Sequence, residues 1–535
     1  VLDILIKNGE IYDGSGGRPF RGNVGIAGDR IVEVGQLAEA AATTVIDASG
    51  LAVAPGFIDS HSHSDPTLLA NPRAESKIRQ GVTTEVIGQC GSSAAPLLGP
   101  AVAVVDMSYE KYGLRSNWTT LAEYGARLGR QGVAVNVAPL TGHGTVRMGV
   151  VGHEDRPPTR EEIAGMKRVI AESMEEGAFG LSTGLIYPPG CFSATDELIE
   201  LARVAADYGR LYVSHIRGES DTLLEAVAEA IEIGRRAAVP VQISHHKAAG
   251  QKNWGKIEQT LAMIDRARTE GVDVTFDVYP YIAASTSLAT LIPAWAHSGG
   301  TGALLARLQD RDTRRRLADE IKGGIPGWEN FARAAGWENI LIVRLESAAN
   351  KALEGKTVAE AAAERGTTPE DTIFDLTLEE EGQTITTVLF LMREEDVAMA
   401  LSHPAAMVGS DSGTVAPYGI LSAGRPHPRT YGTFARALGL YARDRGVLSL
   451  SEAVSKMTGK PAAKYNIKGR GRLAVGMFAD VAVFDPKRII DQATFTDPHQ
   501  YAVGVHHVIV NGKVAVKDGE HTGSLAGRVL APGAY

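Results

Sequence analysis

Apolar positions along the chain switch between two periods. Over residues 1 to about 57, short β-rich runs (DILIKNGEIY, NVGIAGDRIVEVG, TTVIDASGL) alternate with Gly and Asp turns, a pattern that predicts a small antiparallel sheet. RLAVGMFADVAVFD and VHHVIVNGKVAVKDG repeat it near the C-terminus. Between them, apolar runs of strand length alternate with segments of helical period, plainest in EEIAGMKRVIAESMEEG, ATDELIELARVAADYG and DTLLEAVAEAIEIGRRAAV. This βα alternation predicts a parallel α/β core.

Eight strands follow from the pattern: LAVAPGFIDSH, TTEVIGQC, VAVNVAPLTG, AFGLSTGLIY, RLYVSHI, PVQISHH, VDVTFDVY and AAMVGSD. Most lie about 30 residues apart, a βα period, and eight is the number that closes a TIM-like (β/α)8 barrel. The long interval before the eighth strand, about 285–395, carries the charged segment GALLARLQDRDTRRRLADEIKGG and reads as an insertion. On a barrel rim it would serve as a lid or substrate wall; a peripheral helical decoration or an oligomer contact is the other reading.

A chain of 535 residues exceeds one ordinary core, so two or three domains are expected. It is 44% hydrophobic and 22% charged, and no apolar run approaches the roughly 18 residues of a membrane span, so membrane insertion is not expected. The opening VLDILIKNGEIYDG does not read as a secretory signal. Two cysteines cannot form a disulfide framework, which suggests a reducing, cytoplasmic location. A net charge of −9 argues against general nucleic-acid binding. The oligomeric state leaves no mark in the sequence.

Five of the strand-like segments end on potential metal ligands: His61 and His63 in GFIDSHSH, Cys90 in VIGQCG, His215 in YVSHIRGE, His245 in QISHHKA and Asp411 in MVGSDSG. An HxH pair in a strand puts both imidazoles on one face, because side chains alternate with period two. That signal is weak alone; its coincidence with four other strand ends makes it strong. His and Cys suit zinc, with carboxylate as a further ligand, although other divalent metals remain open. His246 is read as pointing to the opposite face, His403 as a surface residue and Cys191 as a free structural thiol.

GFIDSHSH, GVTTEV and GSDSG, with the flanking β-rich pieces, resemble the amidohydrolase superfamily over nearly the whole chain. Within it, VIGQCG, GHGTVR, SHIRGE, SHHK, DVYPYIAASTSL and HPRTYGTF look like the N-acyl-D-amino-acid deacylases. The resemblance implies an α/β fold: a barrel over 58–466 and a β-sandwich domain built from 1–57 and 467–535. Hydantoinase- and dihydroorotase-like relatives usually bridge two metals with a carboxylated lysine at strand four. Here that strand ends in LSTGLIY without lysine, and strand two supplies Cys90. The resemblance further implies that Cys90, His215 and His245 hold a tight Zn2+, while His61, His63 and Asp411, sharing Cys90, form a second site.

The implied reaction is hydrolysis of N-acyl-D-amino acids. Asp411 is expected to take a proton from the attacking water and return it to the departing amine, or else to act as a plain sixth ligand. By resemblance Arg429 is the fork for the substrate carboxylate, with Tyr279 and Ser285 adding hydroxyl donors. Lys247 either contacts the substrate or forms a salt bridge; His143 either lies near the acyl oxygen or is a packed histidine. LATLIPAWA, with Leu291, Ile292 and Trp295 and no Arg or Lys, favours apolar D-side chains. The alternatives are a cyclic-amide hydrolase, an N-succinyl-D-amino-acid hydrolase and a noncatalytic scaffold.

Overall fold

A computed structural model describes residues 2–36 and 41–533. Parallel strands Phe57–Asp59, Val82–Ile87 and Asn136–Pro139 pair in that order. A second parallel set runs Thr141–Gly142, Gly180–Gly184, Leu211–His215, Val241–Ile243, Val274–Val278 and Ala406–Val408. Leu140 alone separates the two sets along the chain, and an isolated parallel bridge joins Ser62 to Ser412 at their far flanks. Nearly every residue in these strands is buried, as expected of parallel strands covered by helices. The intervening helices include Arg160–Glu175, whose first turn is closed by a reciprocal Thr159 and Glu162 capping box, and Leu223–Ala237, which buries Ala226, Val227, Ala230 and Ile233.

The two chain ends meet in one nine-stranded sheet. Leu2–Ile11 pairs antiparallel with Phe20–Ala27 but parallel with Ala42–Asp47 and Ala52–Pro55. The expected purely antiparallel arrangement is thus corrected: one ten-residue strand is long enough to serve two later partners, and local turn signals report hairpins but not crossovers. Ala52–Pro55 continues antiparallel into Val481–Phe484, then Val505–Val510, Lys513–Lys517 and Glu520–His521. Ile6, Ile11, Val24, Ile26, Val53, Val481, Val483 and Ile509 bury the apolar cluster of this sheet.

LAVAPGFIDSH is also two strands rather than one, since Ala52–Pro55 belongs to the terminal sheet and Phe57–Asp59 to the parallel set. The crossing falls on Gly56, where a Cβ would meet Thr83 Oγ1 at 2.2 Å, so only glycine passes. The C-terminal tail returns to the parallel strands: Gly527 donates to Val133 O and Leu530 to Val137 O, both at 2.8 Å.

The interval read as an insertion holds helices Gly300–Gln309, Arg311–Gly323, Val358–Arg365 and Pro369–Glu379. It also contains a three-stranded antiparallel sheet, Ala283–Ser287, Thr386–Phe390 and Ile340–Arg344, that the charged helical pattern did not announce.

Candidate metal centre and active site

The chemistry-bearing side chains sit on the turns just beyond the parallel strands, apart from His215, the last residue of its own strand. His61 and His63 follow a strand that ends at Asp59, so their common orientation does not come from strand alternation as expected. It comes from backbone bonds across the rim: Asp411 N donates to His61 O at 2.8 Å, and His63 N to Ser412 O at 3.2 Å. Cys90, His245 and Asp411 have φ of 52°, 36° and 50°, a left-handed conformation that costs L-residues on the order of 1–3 kcal/mol each and that recurs at functional sites. The bend turns their side chains inward.

Those side chains converge. The donor atoms of His61, Cys90, His245 and Asp411 all lie within 4.8 Å of one another, and His215, Glu219 and His245 form an overlapping group. Cys90 Sγ lies 3.3 Å from His61 Nε2 and 3.4 Å from His245 Nε2. Asp411 Oδ1 is 3.1 Å from His63 Nε2 and 3.5 Å from His61 Nε2. The His215 ring stands edge-on to His245, centroids 4.4 Å apart, with neither nitrogen hydrogen-bonded. Burial alone would raise the Cys90 thiol, yet the neighbouring His61 and His245 hold it well below its ordinary value, which favours the thiolate. Burial likewise works against ionised Asp411, and Arg429 and His245 override it, keeping the carboxyl well below the usual range. A thiol of lowered pKa, four imidazoles, of which His215 has both nitrogens unpartnered, and a carboxylate fit a divalent ion of zinc's preferences.

Two carboxylates that sequence reasoning passed over orient these ligands. Asp277 Oδ1 lies 3.1 Å from His61 Nδ1 and accepts the His245 amide at 2.7 Å. Glu219 Oε1 lies 3.0 Å from His245 Nδ1 and accepts from Lys247 Nζ at 2.5 Å. Lys247 Nζ also lies 2.8 Å from His245 Nδ1, so this ring faces an ammonium as well as a carboxylate, and both rings turn Nδ1 outward and Nε2 toward Cys90. Behind the HxH turn, Glu85 accepts from Ser62 and Ser64, and fully buried Lys77 bonds Asp59 at 2.6 Å and Ser412 O at 2.8 Å. The available signals were the acid four residues after His215 and the acid inside DVYPY; neither spacing is distinctive.

The cluster forms the floor of a cavity of about 410 Å³. Arg429, Tyr279, Ser285 and Lys247 all line it. Arg429 Nη1 is 2.8 Å from Asp411 Oδ2, its guanidinium lies over the Tyr279 ring, and its Nε has no partner. The Tyr279 hydroxyl is buried and also without a partner. The Ser285 hydroxyl instead donates to Thr387 O at 2.8 Å, because its strand is paired with Thr386–Phe390. Of the two readings of Lys247, a salt bridge is formed, to Glu219. His143 is fully buried outside the cavity lining, against Glu197 and Ser193 at 3.4 Å each.

Leu291, Ile292 and Trp295 do not line this cavity. The first two belong to the core, and Trp295 donates to Glu320 and stacks on Arg316. The apolar wall comes from residues distant in sequence: Val104, Val105 and Met148 on one side, Phe331, Leu389 and Leu391 on the other. Tyr187 also lines the cavity, its hydroxyl 3.0 Å from Thr286 Oγ1.

Cys191 is a free thiol that burial pushes up to about 12. His246 points away from the cluster, bonded to Thr260 Oγ1 at 2.8 Å, with burial pushing it down to about 3. His403 is not a surface residue as expected: its side chain is 11% exposed, wedged between Phe276 and Asp265.

A description of the amidohydrolase family matches residues 44–516. The D-aminoacylase of Alcaligenes xylosoxydans xylosoxydans is 40% identical over 99% of this chain and 98% of its own. The N-acyl-D-glutamate deacylase of the same organism is 37% identical over 96% and 93%. A crystal structure of the N-acyl-D-glutamate deacylase of Bordetella bronchiseptica, complexed with zinc and a phosphonate mimic of the tetrahedral intermediate, superposes with a TM-score of 0.83 at 34% identity, covering 99% of each chain.

Proposed function

The chain belongs to the amidohydrolase family, and from that premise we propose that it hydrolyses the amide bond of N-acyl-D-amino acids, giving a carboxylate and a free D-amino acid. The observation that carries the reading is the convergence of the donor atoms of Cys90, His61, His245 and Asp411 within 4.8 Å, with Cys90, His245 and Asp411 lining a mostly apolar cavity. Counting Asn136–Pro139 and Thr141–Gly142 as one strand through Leu140, we read the parallel strands, bridged also at Ser62 and Ser412, as a (β/α)8 barrel, and the terminal sheet as a separate β-sandwich domain. Free cysteines agree with a reducing, cytoplasmic setting.

Cys90, His215 and His245 would hold one Zn2+, and His61, His63 and Asp411, with Cys90 shared, a second. When bound, zinc supplies a Lewis acid for the scissile carbonyl and acidifies a water. Asp411, buried among the ligands, accepts the proton of the attacking water on its carboxylate and returns it to the amide nitrogen as the C–N bond breaks. Arg429 and the unpartnered Tyr279 hydroxyl bind the α-carboxylate, which fixes the amide over Asp411. Lys247 is held by Glu219 within 2.8 Å of His245 Nδ1.

Gly184 speaks against the cyclic-amide alternative. A Cβ there would lie 2.1 Å from Cys90 O, so the last residue of this strand has no room for a side chain, and a bridging lysine is excluded at that position. The apolar wall favours D-leucine, D-phenylalanine and D-methionine over acidic side chains.

The test is amine release by zinc-loaded protein from matched N-acetyl-D- and N-acetyl-L-amino acids, with hydantoin and dihydroorotate as controls. Turnover of the D-series alone, fastest on the apolar members, is expected. Faster turnover of N-acetyl-D-glutamate would overturn the side-chain preference, and activity on the cyclic controls alone would overturn the reaction.

A further inference from the structure

The insertion sends one buried carboxylate inward, far along the chain from any ligand. Glu329 is 5% exposed. Its Oε2 accepts the backbone amides of Glu219 at 2.6 Å and Ser220 at 3.1 Å, and its Oε1 accepts the Ser220 hydroxyl. Consecutive amides turned toward one anion form a nest. Gly218 leaves the space for it, since a Cβ there would meet Glu329 Oε2 at 3.2 Å and Thr222 Oγ1 at 2.0 Å.

Both partners of this contact belong to a thin wall. Glu219 and Phe331 face the catalytic cavity, whereas Ser220, Trp328 and Asn330 face a second cavity of about 780 Å³ on the outer side. Glu329 lies between the two. On the inner side of the same turn, the Glu219 carboxylate contacts His245 Nδ1 and Lys247 Nζ. The backbone of Glu219 is therefore gripped by the insertion while its side chain grips the cluster.

We propose that Glu329 is a positioning residue: by clamping the amides of Glu219 and Ser220 it fixes the Glu219 carboxylate against His245 and Lys247, so that placement of the insertion and geometry of the metal-binding histidine are set together. The proposal rests on the reading of His245 as a ligand. Loss of an outer-shell partner of a metal-bound histidine typically costs about 10–100-fold in metal affinity. Glu329→Gln keeps the shape and one acceptor oxygen but removes the charge that the two amides face, and its NH2 group can meet the Ser220 hydroxyl only by reversing that bond.

The experiment compares the wild type, Glu329→Gln, Glu219→Gln, the double variant and Ser220→Ala. Zinc affinity is read by chelator competition, kcat and KM on N-acetyl-D-leucine, and amide exchange across residues 218–222 by mass spectrometry. Glu329→Gln should weaken zinc binding about tenfold or more, lower kcat more than it raises KM, and speed exchange at Glu219 and Ser220. Its effect should largely vanish in the Glu219→Gln background, because the two act in series. A rise in KM with zinc affinity unchanged, or full additivity in the double variant, would make Glu329 a wall residue only and end the proposal. Should Glu329→Gln fail to fold, Ser220→Ala must give the same pattern in milder form, and an unchanged zinc affinity there counts against it. His245→Ala separates the premises: if it keeps zinc affinity, the ligand reading falls and takes the proposal with it; if it loses zinc while Glu329→Gln does not, only the proposal falls.

Discussion

Asp411 sits under two demands at once. One oxygen faces His61 and His63, and the other is held by Arg429 at 2.8 Å, the group that would also take the substrate's carboxylate. A substrate entering the cavity must share that guanidinium, so binding and the freedom of the proton acceptor are linked through one side chain. Asp411→Asn keeps the size and a ligating oxygen but cannot take a proton. We expect it to retain zinc and to lose about 10²–10⁴-fold in kcat, checked by metal content and steady-state rates on one preparation; normal turnover with zinc retained would leave Asp411 as a ligand only. At this scale the sequence was readable where chemistry demands a particular donor: few residue types hold zinc, and they recurred at strand ends. Glu219 and Asp277 act by accepting hydrogen bonds, a task many residues perform at many spacings, so nothing in SHIRGE or DVYPY singled them out. Leu291, Ile292 and Trp295 misled for a related reason: an apolar run near the site in sequence is more often core than pocket.

Strand ends owe their closeness to small residues. Gly91 and Gly184 bring two neighbouring turns so near that a Cβ on Gly91 would meet Gly184 N at 2.7 Å, and one on Gly184 would meet Cys90 O at 2.1 Å. Gly184→Ala should therefore push the Cys90 turn outward, costing about 1–3 kcal/mol of stability together with zinc affinity. Gly302→Ala, in a helix with open space around it, should be neutral or stabilise by about 0.5–1 kcal/mol. Thermal melts of the two with bound zinc measured alongside test the contrast, and an unperturbed Gly184→Ala would show that the turns have slack. Periodicity located the parallel strands, since buried runs of Val and Ile are distinctive. It did not show that LAVAPGFIDSH changes sheet at Gly56, because both halves are equally apolar, nor that the insertion carries its own sheet, whose strands pair across about 100 residues.

The whole molecule is closed by roughly its last tenth. Val481–Phe484 lies between Ala52–Pro55 and Val505–Val510, and the tail beyond Gly527 bonds Val133 and Val137 in the parallel strands. A chain ending before Val481 would bare both faces of that seam and leave Val53 and Ile11 of the terminal cluster in water. We expect such a truncation to be insoluble or to lose its cooperative melt, whereas removing only the residues after 530 should leave the melting temperature nearly unchanged. A soluble, cooperatively melting shorter chain would mean that the parallel strands stand alone. The seam also has a timetable. Val53 waits for Val483, about 430 residues later, and at ribosomal speeds that is roughly 20–90 s during which the first strands, though paired with one another, keep the Ala52–Pro55 edge open. Expression of this protein is therefore expected to depend on how quickly translation finishes and on what shields that edge meanwhile.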